Sequence, residues 1–120
     1  MFHYSDRAIQ SHAQVIASDP ARDPGHVVVV SLSSKPGDGD AGYTLEFGDH
    51  VSISHRTYVR CDFAGLTSAT QLQERLRKQE ITISQCLQKA ALQKVQRALG
   101  ESPRPSRELK AILKEQGFIR

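Results

Sequence analysis

Apolar and polar residues alternate with a period of two in the first half of this chain and of about 3.6 in the second, so the sequence predicts a sheet followed by helices. "HAQVIAS" (12–18) reads as a short strand, and "DPARDPG" (19–25) as a Pro/Gly/Asp turn leading into "HVVVVSLSS" (26–34), a β-branched central strand. After the polar loop "KPGDGDAG" come "YTLEF" (43–47), a turn at Gly48-Asp49, and "VSISH" (51–55), which alternates strictly. In "TYVRCDF" (57–63), Val59, Cys61 and Phe63 share one face and Tyr58, Arg60 and Asp62 the other. Five short strands with tight turns predict a small, strongly curled antiparallel barrel or half-barrel.

Beyond Gly65 the helical period takes over. Ser68 followed by Gln71 is a capping-box signature for a first helix to about Lys78, with Leu72 and Leu76 as its apolar seam. Thr82 with Gln85 repeats the signature, flanked by Ile81 and Cys86 as a hydrophobic staple. The second helix then carries Leu87, Ala90, Ala91, Val95, Ala98 and Leu99 along one side and stops at Gly100. "ESPRPS" is a linker, and a last helix around Arg107 to Gln116 presents Leu109, Ile112 and Leu113 before Gly117. The expected class is α+β, a single domain over 1–120 with a β half (1–65) and a helical extension (66–120).

Charge changes this picture at one point. The net charge of +3 divides unevenly, with five Lys/Arg against eight Asp/Glu in residues 1–65 and eleven against five in residues 66–120. The basic tail suits a polyanion, although lysines and arginines on solvated helix faces serve solubility as well. Cys61 and Cys86 stand far apart with no Cys-x-x-Cys and no clustered histidine, which argues for reduced thiols and against a zinc or redox pair. The five histidines include no i, i+4 pair, so no metal or other cofactor is expected. No apolar run is long enough for a membrane span and "MFHYSDRAIQ" lacks the order of a secretion signal, so a cytoplasmic protein is expected.

"GDHVSISHRTYVRCD" (48–62) concentrates two histidines, two arginines and a tyrosine. Together with "VIASDPARDPGHVVVVSLSS" before it and "GESPRPSRELKAIL" after it, this succession resembles the short bacterial branch of the PemK/MazF toxin superfamily. The similarity runs from His12 onward: strand, Asp-Pro turn, valine-rich strand ending in Ser-Ser, Gly-Asp-His, a Tyr-Val strand, then helices with Ser-Pro before the last. The resemblance implies an SH3-like antiparallel β-barrel followed by two to three α-helices. It also implies a metal-independent endoribonuclease acting on single-stranded RNA, silenced by an antitoxin protein and forming a homodimer.

Carried over by position, the resemblance implies a catalytic pair of His12 and Ser33. These stand where the larger toxins have arginine and threonine; Thr57 and Cys61 stand where the short branch commonly has serine and an aromatic. Such cleavage needs a base for the 2′-hydroxyl proton, an acid for the leaving 5′-oxygen and donors for the charge on phosphate. An imidazole titrates near neutral pH, which suits His12 to proton transfer. Ser34, Lys35, His50, His55 and Arg60 are candidate RNA-binding groups, and Tyr58 is a candidate for base stacking. The same residues also fit a solvated strand exit and hairpin end, so a non-catalytic barrel that binds protein or nucleic acid is the alternative reading.

Overall fold

The computed structural model describes residues 2–4, 12–33, 43–45, 57–83, 87 and 89–119, with 2–4, 12–13 and 81–83 described by their backbone only. The strands are β1 (Phe2–Tyr4), β2 (His12–Ile16), β3 (Val27–Ser33), β4 (Thr44–Leu45), β5 (Thr57–Thr67) and β6 (Ile81–Ile83); the helices are α1 (Ala69–Arg77), α2 (Lys89–Glu101) and α3 (Arg107–Glu115). All strand pairs are antiparallel, in the order β4-β5-β3-β2-β1-β6. The protein is therefore α+β: five strands of an antiparallel sheet precede the first of three helices, and β6 joins the sheet's edge between α1 and α2. Among the described residues the expected barrel does not close: β4 and β6 are the two edges. The strand expected at 51–55 lies outside the described residues.

Alternation does place the core. Val15, Val30, Leu32, Val59 and Cys61 are all buried on one face of the sheet, and against them lie Ala91, Val95, Ala98 and Leu99 of α2 and Leu109, Ile112 and Leu113 of α3. The α2 residues fall at i, i+4, i+7 and i+8, the stripe a helix needs to cover a sheet. Helix α1 buries nothing, and Leu76 is exposed, so the seam expected at Leu72 and Leu76 is not a core seam.

Two helix boundaries follow the sequence closely. The Ser68 hydroxyl accepts from the Gln71 N–H at 3.1 Å, as its signature requires. The Gln71 side chain does not complete the box, because its Oε1 accepts from the Thr67 hydroxyl at 2.8 Å instead. At the end of α3, Gly117 takes φ +81° and Phe118 N–H reaches the Leu113 carbonyl at 2.9 Å, a Schellman turn that only glycine adopts without strain.

Other expectations are overturned. Thr82 does not cap a helix: Ile81–Ile83 is a strand that pairs with β1, Thr82 opposite His3, and α2 begins at Lys89. Two β-branched isoleucines around a threonine favour extended backbone wherever a free strand edge is available, and β1 supplies that edge. Gly100 does not stop α2, which continues to Glu101. A Cβ at Gly100 would come within 3.1 Å of Ile119, so the missing side chain makes room for the returning C-terminal segment. "ESPRPS" also does more than link, since Ser106 caps α3 by accepting from the Leu109 N–H at 3.1 Å.

The turn between β2 and β3 is bound to the helices. Gln96 of α2 donates to the Ala17 carbonyl at 2.9 Å, and Gln116 Oε1 accepts from the Asp19 N–H at 2.7 Å. Arg22 in turn donates to the Gln116 carbonyl at 2.9 Å, and within the turn Asp19 Oδ1 accepts from Ala21 N–H. These bonds satisfy polar backbone that packing against the helices would otherwise bury unpaired. They also fix where β3 starts, and so the register of everything paired to it.

Candidate functional site

On the sheet face opposite the helices, Gln14 of β2, Ser31 and Ser33 of β3, Tyr58 and Arg60 of β5 and Thr44 of β4 are polar, whereas Ile16, Val27 and Val29 make the other end of that face apolar. Register puts the polar residues in two crosswise rows. In the first, Gln14 pairs with Ser31 and Ser31 with Arg60; Gln14 Nε2 donates to Ser31 Oγ at 3.3 Å. In the second, Ser33 pairs with Tyr58 and Tyr58 with Thr44. Carrying the β2–β3 register on by two residues from Gln14↔Ser31 sets His12 level with Ser33, at the end of this second row. His12 itself pairs with Tyr4 on the other side of β2.

Three residues singled out from the sequence thus come together, Ser33 with Tyr58 beside it and Arg60 one step along β5, while His12 falls level with Ser33 only on extending the β2–β3 register two residues beyond its last pair, Gln14↔Ser31. Ser34, Lys35, His50 and His55 lie outside the described residues. Gln14, Ser31 and Thr44 belong to the same face and were missed. Strict alternation through "HAQVI" and "VVVVSLS" would have shown the first two, whereas Thr44 joins only through strand pairing.

Arg60 differs from expectation. Its Nε donates to Asp62 Oδ1 at 2.9 Å and its Nη2 to Asp62 Oδ2 at 2.6 Å, a bidentate pair between residues two apart on one strand. The guanidinium carbon also lies 4.3 Å from the centre of the Phe63 ring. Much of its charge is thereby offset inside the sheet rather than presented to phosphate. Hydrogen bonding by Arg60 holds the Asp62 carboxyl below the usual range, outweighing desolvation, with further Coulombic help from Arg60 and Arg104.

The sign of the linkage follows. A carboxyl with a depressed folded pKa adds stability at pH above its ordinary value of 3.8, and that stability is lost as pH falls through the folded value. Urea unfolding between pH 5 and pH 2.5 is therefore expected to show a loss of stability in the native protein, bounded at about 1.8 kcal/mol for one such carboxyl, that Asp62→Asn lacks. Equal slopes in both proteins would remove the pair from the stability account.

Cys61 is buried in the core and unbridged, as a small apolar residue would be; Cys86 lies outside the described residues. Among the described residues no group of three His, Cys, Asp or Glu is placed to hold a metal ion, and no helix is long and apolar enough to cross a membrane. A groove of about 630 Å³ runs on the helix side between α2 and the C-terminal segment, bordered by Gln93, Arg97, Glu101 and Phe118. It includes none of the catalytic or RNA-binding candidates singled out from the sequence that are among the described residues. Compared with known proteins, the chain matches no family model, no curated protein and no solved structure.

Proposed function

We propose that this chain is a PemK/MazF-like endoribonuclease that cleaves single-stranded RNA without a metal, on an SH3-like sheet, under the control of an antitoxin in the cytoplasm. The reading is supported by the Ser33↔Tyr58 pair and by a β2–β3 register that, extended two residues beyond Gln14↔Ser31, brings His12 level with Ser33. In this reading His12 takes the proton from the ribose 2′-hydroxyl as its oxygen attacks the adjacent phosphorus. The Ser33 hydroxyl donates to a non-bridging phosphate oxygen as charge builds there. The bond from phosphorus to the 5′-oxygen breaks, and that oxygen takes a proton from a second acid, for which His50 and His55 are the candidates. The products are a 2′,3′-cyclic phosphate and a 5′-hydroxyl.

The engagement of Arg60 with Asp62 favours a second reading, a non-catalytic module that binds RNA or protein through the same face. One assay separates the two. Labelled single-stranded RNA incubated with the protein in EDTA is expected to yield fragments ending in a cyclic phosphate, while an all-2′-deoxy strand of the same sequence stays intact. Intact RNA, or equal cutting of the deoxy strand, defeats the nuclease reading.

A further inference from the structure

Phe63 is 62% exposed, the most solvent-accessible large apolar side chain among the described residues. Its position comes from an irregularity in the sheet. Between the pairs Ser31↔Arg60 and Val29↔Gly65, β5 advances five residues while β3 advances two, so Cys61 to Ala64 share the place opposite Val30; Cys61 stays buried and Ala64 packs against the core, while Phe63 turns out to solvent. Bulges of this kind re-aim side chains and recur beside functional sites. Without it, Phe63 would follow Val59 and Cys61 into the core, as simple alternation predicts.

The ring is also held. The Arg60 guanidinium lies over it at 4.3 Å, and Asp62 fixes that guanidinium through two hydrogen bonds. A cation over an aromatic face is attractive, and the bidentate carboxylate removes the freedom the arginine would otherwise have. At Gly65 the chain carries no side chain, and a Cβ there would meet nothing within 4 Å, so space beside the bulge is open. Arg60 also pairs with Ser31, in the row next to that of Ser33 and Tyr58.

We propose that Phe63, presented by the β5 bulge and braced by the Arg60–Asp62 pair, is a stacking platform for a base of single-stranded RNA bound across the Ser31–Ser33 face. The proposal rests on the reading of this chain as an RNA-cleaving protein. A flat, pre-positioned ring among polar neighbours suits a nucleobase, which offers a π face and polar edges together. A protein partner would need several apolar anchors around a dry centre, and this ring lies against the Arg60 guanidinium, itself paired with Asp62. Arg60 on this account is a positioning residue. It orients the platform, which explains why its charge is spent on Asp62.

The test uses fluorescein-labelled 2′-O-methyl RNA, which cannot be cleaved through its 2′-oxygen, and reads binding by anisotropy alongside cleavage of ordinary RNA. Phe63→Ala is expected to weaken binding by about 5- to 150-fold, the range for losing one stacked base. Phe63→Leu should weaken it similarly, because it keeps apolar area without a π face, whereas Phe63→Tyr should retain it. With the side chain so exposed, thermal midpoints should stay close to that of the native protein, so loss of folding is not the cause. Asp62→Asn, which frees the arginine, should weaken binding less than Phe63→Ala. If native protein binds and cuts RNA but Phe63→Ala binds as well as native, the platform is overturned while the nuclease reading stands; the exposed ring then belongs to a protein contact. If native protein binds no RNA, both fall together.

Discussion

His12→Ala is expected to lower EDTA-resistant cleavage of single-stranded RNA by about 10²- to 10⁴-fold, the usual contribution of a positioned proton-transfer group. Ser33→Ala should cost less, on the order of 10²-fold or more, as loss of one donor to the developing phosphate charge does elsewhere. The two effects should fall short of adding when combined, because both act at one phosphate through residues level with each other in adjacent strands. A pH profile separates chemistry from structure. If His12 is the base, kcat/KM should fall on the acid side of an imidazole pKa in the native protein, and that limb should vanish from the residual activity of His12→Ala. Alanine is a poorer strand former by up to about 1 kcal/mol, so the variant should remain folded at working temperature. Cleavage at the native rate in His12→Ala would remove this residue from the mechanism, whatever else the sheet does.

The parts of this site that were legible in the sequence are those that depend on neighbours in the chain. Val28, Val30 and Leu32 against Ser31 and Ser33 follow from a period of two, and so do Val59 and Cys61 against Tyr58 and Arg60. The Ser68 cap could be read for the same reason, since its donor is three residues away. What was not legible is set by residues distant in sequence. That Gln14 pairs with Ser31 depends on the β2–β3 register, which the clamped turn at 17–22 helps to set. Phe63 was assigned to the core face because alternation assumes an unbroken ladder, and a bulge exists only relative to a partner strand. Ile81 fits a helix flank by sequence for a similar reason: its strand partner, Tyr4 of β1, lies nearly eighty residues earlier. Gly100 looked like a stop signal because sequence alone cannot show Ile119 folding back onto it.

Leu113→Ala should be among the most destabilising single truncations, at about 3–5 kcal/mol, the range found for leucines in well-packed cores where transfer and cavity costs add. Leu113 has no exposed surface and belongs to the cluster joining α3 to β2, β3 and β5. Against a total stability of about 5–15 kcal/mol for a chain of this size, such a loss should lower the thermal midpoint by roughly 10–20 °C. Leu76→Ala on α1, where nothing is buried, should change stability by less than about 1 kcal/mol. Equal midpoints for the two variants would mean that α3 does not pack on the sheet. The comparison also bears on the site. Gln116 caps the end of α3 and holds Asp19, in the turn that sets the β2–β3 register, so together with the Gln96–Ala17 and Arg22–Gln116 bonds it links the helices to the strands that carry the polar rows. Well below its midpoint Leu113→Ala should cleave RNA at the native rate per folded molecule, and its activity should then fail on warming in step with unfolding. Loss of activity at temperatures where the variant is still fully folded would instead show that packing of α3 tunes the register itself, through Gln116.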